Sequence, residues 1–289
     1  MGSANLDLVV VPDRLPGPGE TVKSDRLDRF PGGKGLNQAV AAHLASAPTV
    51  FCAALGQDAA GAEILAAMAS VGLSAEHVVR SSTAPTGTAL ITVSAAAENQ
   101  IVVVPGANNA LAPAHVVPAA SRARVLLTQL EVPVPTGAGA RAAAREAGAT
   151  TVLNPAPAVA LPSGVLALAD YIVPNEHEAA VLGGPHRLLG HGARAVIVTR
   201  GGAGVDVHRR GHAPLTVPAF PVDVTDTTAA GAAICGAFVA ALARGAELLA
   251  AVRFGCAAGA LATTARGAVP SLPRRDRIDS LLRTAAPLD

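Results

Sequence analysis

Pro31-Gly32-Gly33-Lys34-Gly35-Leu36-Asn37-Gln38-Ala39-Val40-Ala41-Ala42 passes from three glycines into an apolar run with helical spacing. Glycines let a backbone approach a ligand closely, and a helix starting here would offer that ligand its first unpaired N–H groups. A phosphate-cradling P-loop needs Gly-Lys followed by Ser or Thr after a longer spacer; here Gly35 follows Lys34. Taken alone, residues 32–35 fit a tight turn as well as a binding loop.

Outward from this stretch, short apolar runs alternate with Ala-rich segments. Residues 8–11, 49–53, 125–127, 151–153, 171–173 and 196–198 read as buried strands, and 36–46, 62–71, 137–147 and 176–182 as helices. Such alternation predicts a parallel sheet covered on both faces, with ligands at the carboxyl ends of its strands. Two segments break the rhythm. Residues 12–30 are rich in Pro, Gly and charge, with 17–22 reading as turn then strand, and 88–93 with 101–104 flank a polar turn as in a hairpin. Together, 12–30 and 87–104 predict a small antiparallel sheet standing off the main one as a lid. Residues 228–242 and 248–263 read as two further Ala-rich helices, and no internal repeat interrupts a single α/β domain over 1–289.

Six strings follow one another in a fixed order. They are Asn5-Leu6-Asp7, the Gly32–Ala42 stretch, Gly106-Ala107-Asn108-Asn109-Ala110-Leu111, Gln129-Leu130-Glu131, Leu153-Asn154-Pro155-Ala156-Pro157 and Pro174-Asn175-Glu176-His177-Glu178. This set resembles the ribokinase branch of the PfkB sugar-kinase family from Gly2 to about Leu282. Gly-Gly-Lys-Gly-x-Asn-Gln and Asn-Pro-Ala-Pro are specific to that branch. The resemblance implies a three-layer α/β/α sandwich with a β lid, often used for homodimerisation. It also implies ATP-dependent phosphorylation of a sugar's or nucleoside's primary hydroxyl with Mg²⁺ and K⁺.

Residue by residue, the resemblance places Asn5, Asp7, Gly33, Lys34, Asn37 and Glu131 around the sugar. Carboxylate and amide oxygens can read fixed hydroxyls through directed hydrogen bonds; the plainer alternative for Asp7 and Glu131 is a strand-end carboxylate in solvent. Asn175 and Glu178 match the element that organises magnesium and phosphate through water, and also fit a helix cap with an exposed first-turn Glu. Thr199, Gly201 and Gly204 match the nucleotide-binding turn. For K⁺ the resemblance points to the carbonyls of Asp226, Thr228, Ala262, Ala265 and Gly267 with the Ser271 hydroxyl, an all-oxygen set.

At residue 232 the chain departs from the family. Asp226-Thr227-Thr228-Ala229-Ala230-Gly231 matches the string leading into an anion hole, where backbone N–H groups of residues 229–231 can hold a transferring phosphoryl group. The family continues Gly-Asp-Thr-Phe-Asn-Gly; this chain continues Gly231-Ala232-Ala233-Ile234-Cys235-Gly236, so the aspartate that would accept the hydroxyl proton is Ala232. Binding is expected to survive this change. Turnover stays open between a slow kinase, a non-catalytic sugar- and nucleotide-binding pseudokinase, and an enzyme repurposed for other chemistry on a ribosyl-phosphate-like ligand. Asp226 is expected to be structural, and Asp223 to lie on the preceding strand. Residues 183–195 are shorter than in the family, where they carry an additional helix, and Cys256 falls where adenine usually packs.

Composition narrows the function classes. With 22 basic and 21 acidic residues spread along the chain there is no electrostatic footprint for nucleic acid or an anionic membrane. Cys52, Cys235 and Cys256 lack disulfide or zinc spacing, which fits a reducing compartment. No signal peptide or apolar span of membrane-crossing length is visible, so the expectation is a cytoplasmic protein acting on a small molecule.

Overall fold

The computed structural model describes residues 1–94 and 99–285. The chain opens with β1 (Asn5–Val10), β2 (Leu27–Gly32), α1 (Lys34–Leu44), β3 (Ala53–Gly56), α2 (Ala59–Val71) and β4 (Val78–Ser81). β5 (Gly87–Val93), β6 (Asn99–Val104), α3 (Pro113–Ala120), β7 (Val125–Thr128), α4 (Val134–Glu146) and β8 (Thr150–Leu153) follow. Next come α5 (Ser163–Leu166), β9 (Tyr171–Ile172), α6 (Glu176–Val181), α7 (Gly184–Gly190), β10 (Ala195–Thr199), β11 (Val205–Arg209) and β12 (Leu215–Val217). α8 (Ala230–Ala243), α9 (Leu248–Ala262) and α10 (Arg275–Thr284) close the chain.

β7, β8, β9 and β10 pair in parallel, and β11 and β12 extend the sheet antiparallel at one edge. Successive residues of β10 go to opposite faces, as the two-residue period requires. Ala195 and Ile197 join the core formed with α1, α8 and α9, whereas Val196 and Val198 join the one formed with α6 and α7. α3 and α4 cover the same side as α6 and α7, meeting β7 through Leu126. The result is a three-layer α/β/α sandwich. β3 and β4 form a separate parallel pair. Residues 1–4 tie it to the main sheet: the Met1 ammonium donates to Leu127 O at 3.0 Å, and Gly2 N donates to Cys52 O at 3.1 Å.

The lid is a four-stranded sheet in the order β2-β1-β5-β6. It is mixed rather than antiparallel as expected, because β1 and β5 run parallel. It also captures a strand expected in the main sheet: Leu8 pairs with Arg29 on one side and Leu90 on the other, so residues 8–10 are only half-buried. Among the described residues, 12–26 form a turn at 18–19 and no strand; prolines 12, 16 and 18 remove donors there, and pairing starts at Leu27. The hairpin turn expected between β5 and β6, residues 95–98, lies outside the described residues. The strand expected at 49–53 begins only at Ala53, and α10 had no counterpart in the sequence reading. The short stretch at 183–195 holds the seven-residue α7.

Candidate functional site

A cavity of about 660 Å³ lies between the lid and the carboxyl ends of the strands. Asn5, Asp7, Gly33, Lys34, Asn37 and Glu131, the six residues expected around a sugar, all line it. Residues i and i+2 of a strand share a face, which brings Asn5 and Asp7 of β1 together; residues i and i+3 of a helix do the same for Lys34 and Asn37 in α1. Ala89, Ile91, Ile101 and Val103 form the lid's contribution, and Thr228 reaches in from the loop before α8. Gly33 caps α1 at φ 89°, where a side chain would be strained, and a Cβ on Gly35 would sit 2.4 Å from Ser3 N. The glycines thus press the start of α1 onto residues 2–5.

Hydrogen bonds fix this pocket from behind. Glu131 Oε2 accepts from Ser3 Oγ at 2.6 Å and from Lys34 N at 2.9 Å, while Ser3 Oγ accepts from Gly35 N at 3.1 Å. Asn108 Nδ2 donates to Asn5 Oδ1 at 2.7 Å, and its Oδ1 accepts from Ala4 N at 2.9 Å. Gln129 donates to Gln38, which donates to Asn154 Oδ1 at 2.8 Å. Asp7 Oδ1 and Asn37 Oδ1 on the cavity wall, and Gln129 Oε1 behind it, are buried with no partner among the described residues. Buried acceptors without partners are costly, and a bound molecule carrying hydroxyl donors would relieve the two on the wall.

Charge converges on Lys34. Burial, then the neighbouring Glu131 charge, push the Asp7 carboxyl up from 3.8 to about 7, while Lys34 opposes both. Burial also raises Glu178, again against Lys34. One ammonium therefore acts on Asp7 in the cavity and on Glu178, the carboxyl expected near phosphate.

Asn175 and Glu178 form a reciprocal capping box: Asn175 N donates to Glu178 Oε2 at 2.8 Å and Glu178 N to Asn175 Oδ1 at 2.7 Å. The cap expected from sequence is present, but its Glu is buried rather than exposed. A backbone bridge sets Thr199 beside Asn175, and Gly201 and Gly204 follow in the turn between β10 and β11, both at positive φ. α8 starts at Ala230 with no side-chain cap; of the N–H groups expected at residues 229–231, that of Ala230 already donates to Thr227 O at 3.2 Å, while those of Gly231 and the next residue, Ala232, have no acceptor within the helix. Gly231 is exposed there and Ala232 half-buried.

Two carboxylates lie near residue 232 in the sequence, Asp223 and Asp226. Asp226 Oδ1 accepts from Thr228 N at 2.9 Å and from Thr228 Oγ1, and Oδ2 accepts from Gly267 N at 2.9 Å, which together hold its pKa low. Asp223 is exposed in the loop after β12, not on a strand as expected, because β12 ends at Val217. The same loop is stapled to the end of α9: Thr225 N and Asp226 N both donate to Thr263 O, at 2.7 and 3.1 Å. Asp226 and Thr228 thereby come against the segment carrying Ala262, Ala265 and Gly267. Carbonyls and hydroxyls in such a place suit a hard cation; Ser271 Oγ, itself buried, donates to Ala268 O at 2.9 Å. Among the described residues no group of His, Cys, Asp and Glu has the arrangement of a metal site. Burial pushes the Cys235 and Cys256 thiols up to about 12, so both are inert packing residues.

Sequence reasoning singled out the lining residues but missed Ser3, Gln38, Asn108 and Gln129 as positioning groups. Gln38, Asn108 and Gln129 lay within quoted strings, where their amides were the available signal, and Ser3 lay outside them; all four act on partners about a hundred positions away.

The family model for pfkB family carbohydrate kinases matches residues 1–275. The ribokinase of Staphylococcus aureus (strain COL) is 36% identical over 298 aligned residues, covering 97% of this chain and 98% of that one. The ribokinase of Haemophilus influenzae is 37% identical over 302, covering 99% and 98%. Among solved structures, ribokinase from Thermotoga maritima has a TM-score of 0.89 at 33% identity, covering 98% of this chain and 97% of that one. Arabidopsis thaliana ribokinase complexed with ribose and ATP has a TM-score of 0.90 at 29% identity, with the same coverage. With family model, relatives and fold in agreement along nearly its whole length, the chain belongs to the pfkB family of carbohydrate kinases.

Proposed function

We propose that the protein binds ribose or a closely related ribosyl compound together with ATP, and that it phosphorylates the sugar's primary hydroxyl slowly because residue 232 supplies no base. The observation carrying this reading is the pair of unpartnered buried acceptors, Asp7 Oδ1 and Asn37 Oδ1, in a cavity otherwise fixed by hydrogen bonds. Sugar hydroxyls donate to these two oxygens, and Lys34 balances the carboxylates on either side. Thr199, Gly201 and Gly204 take the nucleotide.

The N–H groups at the start of α8 orient the phosphoryl group and draw off its charge. Asn175 and Glu178 would hold Mg²⁺ through water, and the carbonyls of Asp226, Thr228, Ala262, Ala265 and Gly267 with Ser271 would hold K⁺; the cations supply charge neutralisation and order to the anion hole. A methyl at 232 cannot take the hydroxyl proton, and losing a positioned base costs about 10²–10⁴ in rate, or roughly 3–5 kcal/mol of barrier.

The lid offers a surface for a second copy. β5 and β6 turn Ala89, Ile91, Ile101 and Val103 toward the cavity, with Ile101 and Val103 54% and 43% exposed, and on the opposite parity Leu90, Val102 and Val104 are 49%, 61% and 48% exposed. An apolar strip of this kind supports homodimerisation through the lid.

The test is calorimetric titration with ribose and with ATP, run beside a phosphorylation assay containing magnesium and potassium. Binding of both ligands with turnover far below ordinary kinase rates is expected. Ordinary rates in the natural chain would refute the role given to Ala232, and absence of pentose binding would refute the substrate class.

A further inference from the structure

Gln38 stands where three parts of the site meet. It belongs to α1, whose Lys34 and Asn37 line the cavity, but it is itself buried against the main sheet. Its Nε2 donates to Asn154 Oδ1 at 2.8 Å, and its Oε1 accepts from Gln129 Nε2. Asn154 Nδ2 in turn donates to Val173 O at 2.8 Å. Gln129, Asn154 and Val173 each follow the last residue of a strand, so the chain of bonds crosses the carboxyl ends of β7, β8 and β9 with α1 supplying one link. Glu131 lies two residues past Gln129, and Asn175 two past Val173.

One end of the chain fixes the direction of every bond. A main-chain carbonyl only accepts, so Asn154 gives its amide N–H to Val173 and turns its oxygen toward α1. That oxygen needs a donor, which leaves Gln38 with its own oxygen for Gln129. Residue 38 must therefore donate on one side and accept on the other in a buried place, which Glu, Met and Leu cannot do. Among the described residues this is the one hydrogen bond from α1 to residues 150–182. The backbone of Gln38 meets a third part of the site. A Cβ on Gly236 would lie 2.6 Å from Gln38 O and 2.5 Å from Ala41 Cβ, so α8 packs directly on α1 one turn past Ala232.

We propose that Gln38 is a positioning residue whose amide holds the sugar wall in register with the loop carrying Asn175 and Glu178, so that the sugar's primary hydroxyl meets the terminal phosphate of the nucleotide. This alignment rests on ribose binding at Asp7 and Asn37 and phosphate lying beside Asn175 and Glu178, as proposed above. Each half has hydrogen bonds of its own: Glu131 holds Ser3 Oγ and Lys34 N, while Asn175 and Glu178 cap each other. Without the Gln38 amide each half still binds its ligand, and the two are free to shift against each other. A misplacement of about 1 Å costs about a hundredfold where two groups must meet.

The probe is a joined compound, ribose linked at its primary hydroxyl through a phosphate chain to adenosine, which binds more tightly than its parts only when both halves are aligned. Calorimetry with magnesium present measures ribose, ATP and the joined compound on the natural chain, Gln38→Glu and Gln38→Met. Glu keeps an acceptor for Gln129 and loses the donor to Asn154; Met keeps only the shape. In both variants ribose and ATP affinities should stay within about threefold, while the joined compound weakens about 10–100-fold. Asn154→Ala breaks the same link from the other side and carries the same expectation if a residue-38 variant fails to fold. Combined with Gln38→Met it should weaken the joined compound no further than the single change does. Equal weakening of all three ligands would reduce Gln38 to a support of the fold and overturn the proposal. So would unchanged affinity for the joined compound in the variants, or a natural chain that binds it no more tightly than ATP. A natural chain that binds neither ribose nor ATP would instead overturn the functional reading, and this inference with it.

Discussion

Replacing Asp7 by Asn should make the protein more stable at pH 8 and a worse sugar binder. Asp7 lines the cavity with one oxygen unpartnered, and burial with Glu131 nearby raises its pKa from 3.8 to about 7. Because the folded state then holds its proton more tightly than the unfolded chain, the linked stabilisation is complete below about pH 4 and declines as pH rises toward 7. Above that the folded protein carries a buried charge at its full cost. A shift of about 3 pKa units corresponds to a ceiling of about 4 kcal/mol. If half is realised, the midpoint of thermal unfolding moves by about 4–8 °C. Asn keeps the shape and cannot ionise, so the variant should exceed the natural protein by that amount at pH 8 and by much less at pH 4.5. The two-pH difference cancels every group common to both proteins. Ribose affinity should fall about 10–100-fold through the lost charge-assisted hydrogen bond. Thermal melts and titration calorimetry measure both. An equal stability gain at both pH values would refute the buried-charge account, and unchanged ribose affinity would refute the role in binding.

Glu178→Gln keeps an acceptor for Asn175 N, so folding should be unaffected while magnesium-dependent ATP binding weakens about 10–100-fold, as read by calorimetry with and without magnesium. Gly35→Ala puts a Cβ 2.4 Å from Ser3 N and 2.5 Å from Gly2 C, and should cost about 1–3 kcal/mol in a urea melt while loosening the Ser3–Glu131 contact and hence sugar affinity. Val102→Lys places a charge on the exposed lid strip and should shift sedimentation from dimer to monomer with little change in the melt.

How much of this could be read from sequence followed from the range of the interactions involved. The runs at 125–127, 151–153 and 196–198 were legible because a strand buried on both faces is apolar at every position, and each lies within one residue of the observed β7, β8 and β10 at either end. Residues 8–11 and 49–53 carry the same local signal, but which sheet a strand joins depends on neighbours that composition does not name. Leu8 found Arg29 and Leu90, while Thr49–Cys52 remained outside the ladder. α10 was missed although Ile278, Leu281 and Leu282 mark an apolar stripe, since six charged residues from Arg274 to Arg283 dominate that stretch.

In the cavity, contiguous motifs named the lining residues. The groups that aim them were hidden because Ser3 and Glu131 are 128 positions apart, Asn5 and Asn108 103 apart, and Gln38 and Asn154 116 apart. Only folding brings such pairs together. At residue 232 the sequence was most informative, since an alanine in place of a carboxylate is legible without coordinates. The fold added that Asp226 is already committed to Thr228 and Gly267, and that Asp223 lies out in solvent.

The most direct measurement is the turnover number for ATP-dependent ribose phosphorylation by the natural chain and by Ala232→Asp, side by side, at saturating ribose and with both cations present. Restoring the proton acceptor at the start of α8 should raise the rate about 10²–10⁴-fold while leaving ribose affinity within a few-fold. Equal turnover in the two proteins, with ribose bound by both, would show that position 232 does not limit the reaction and would contradict the account.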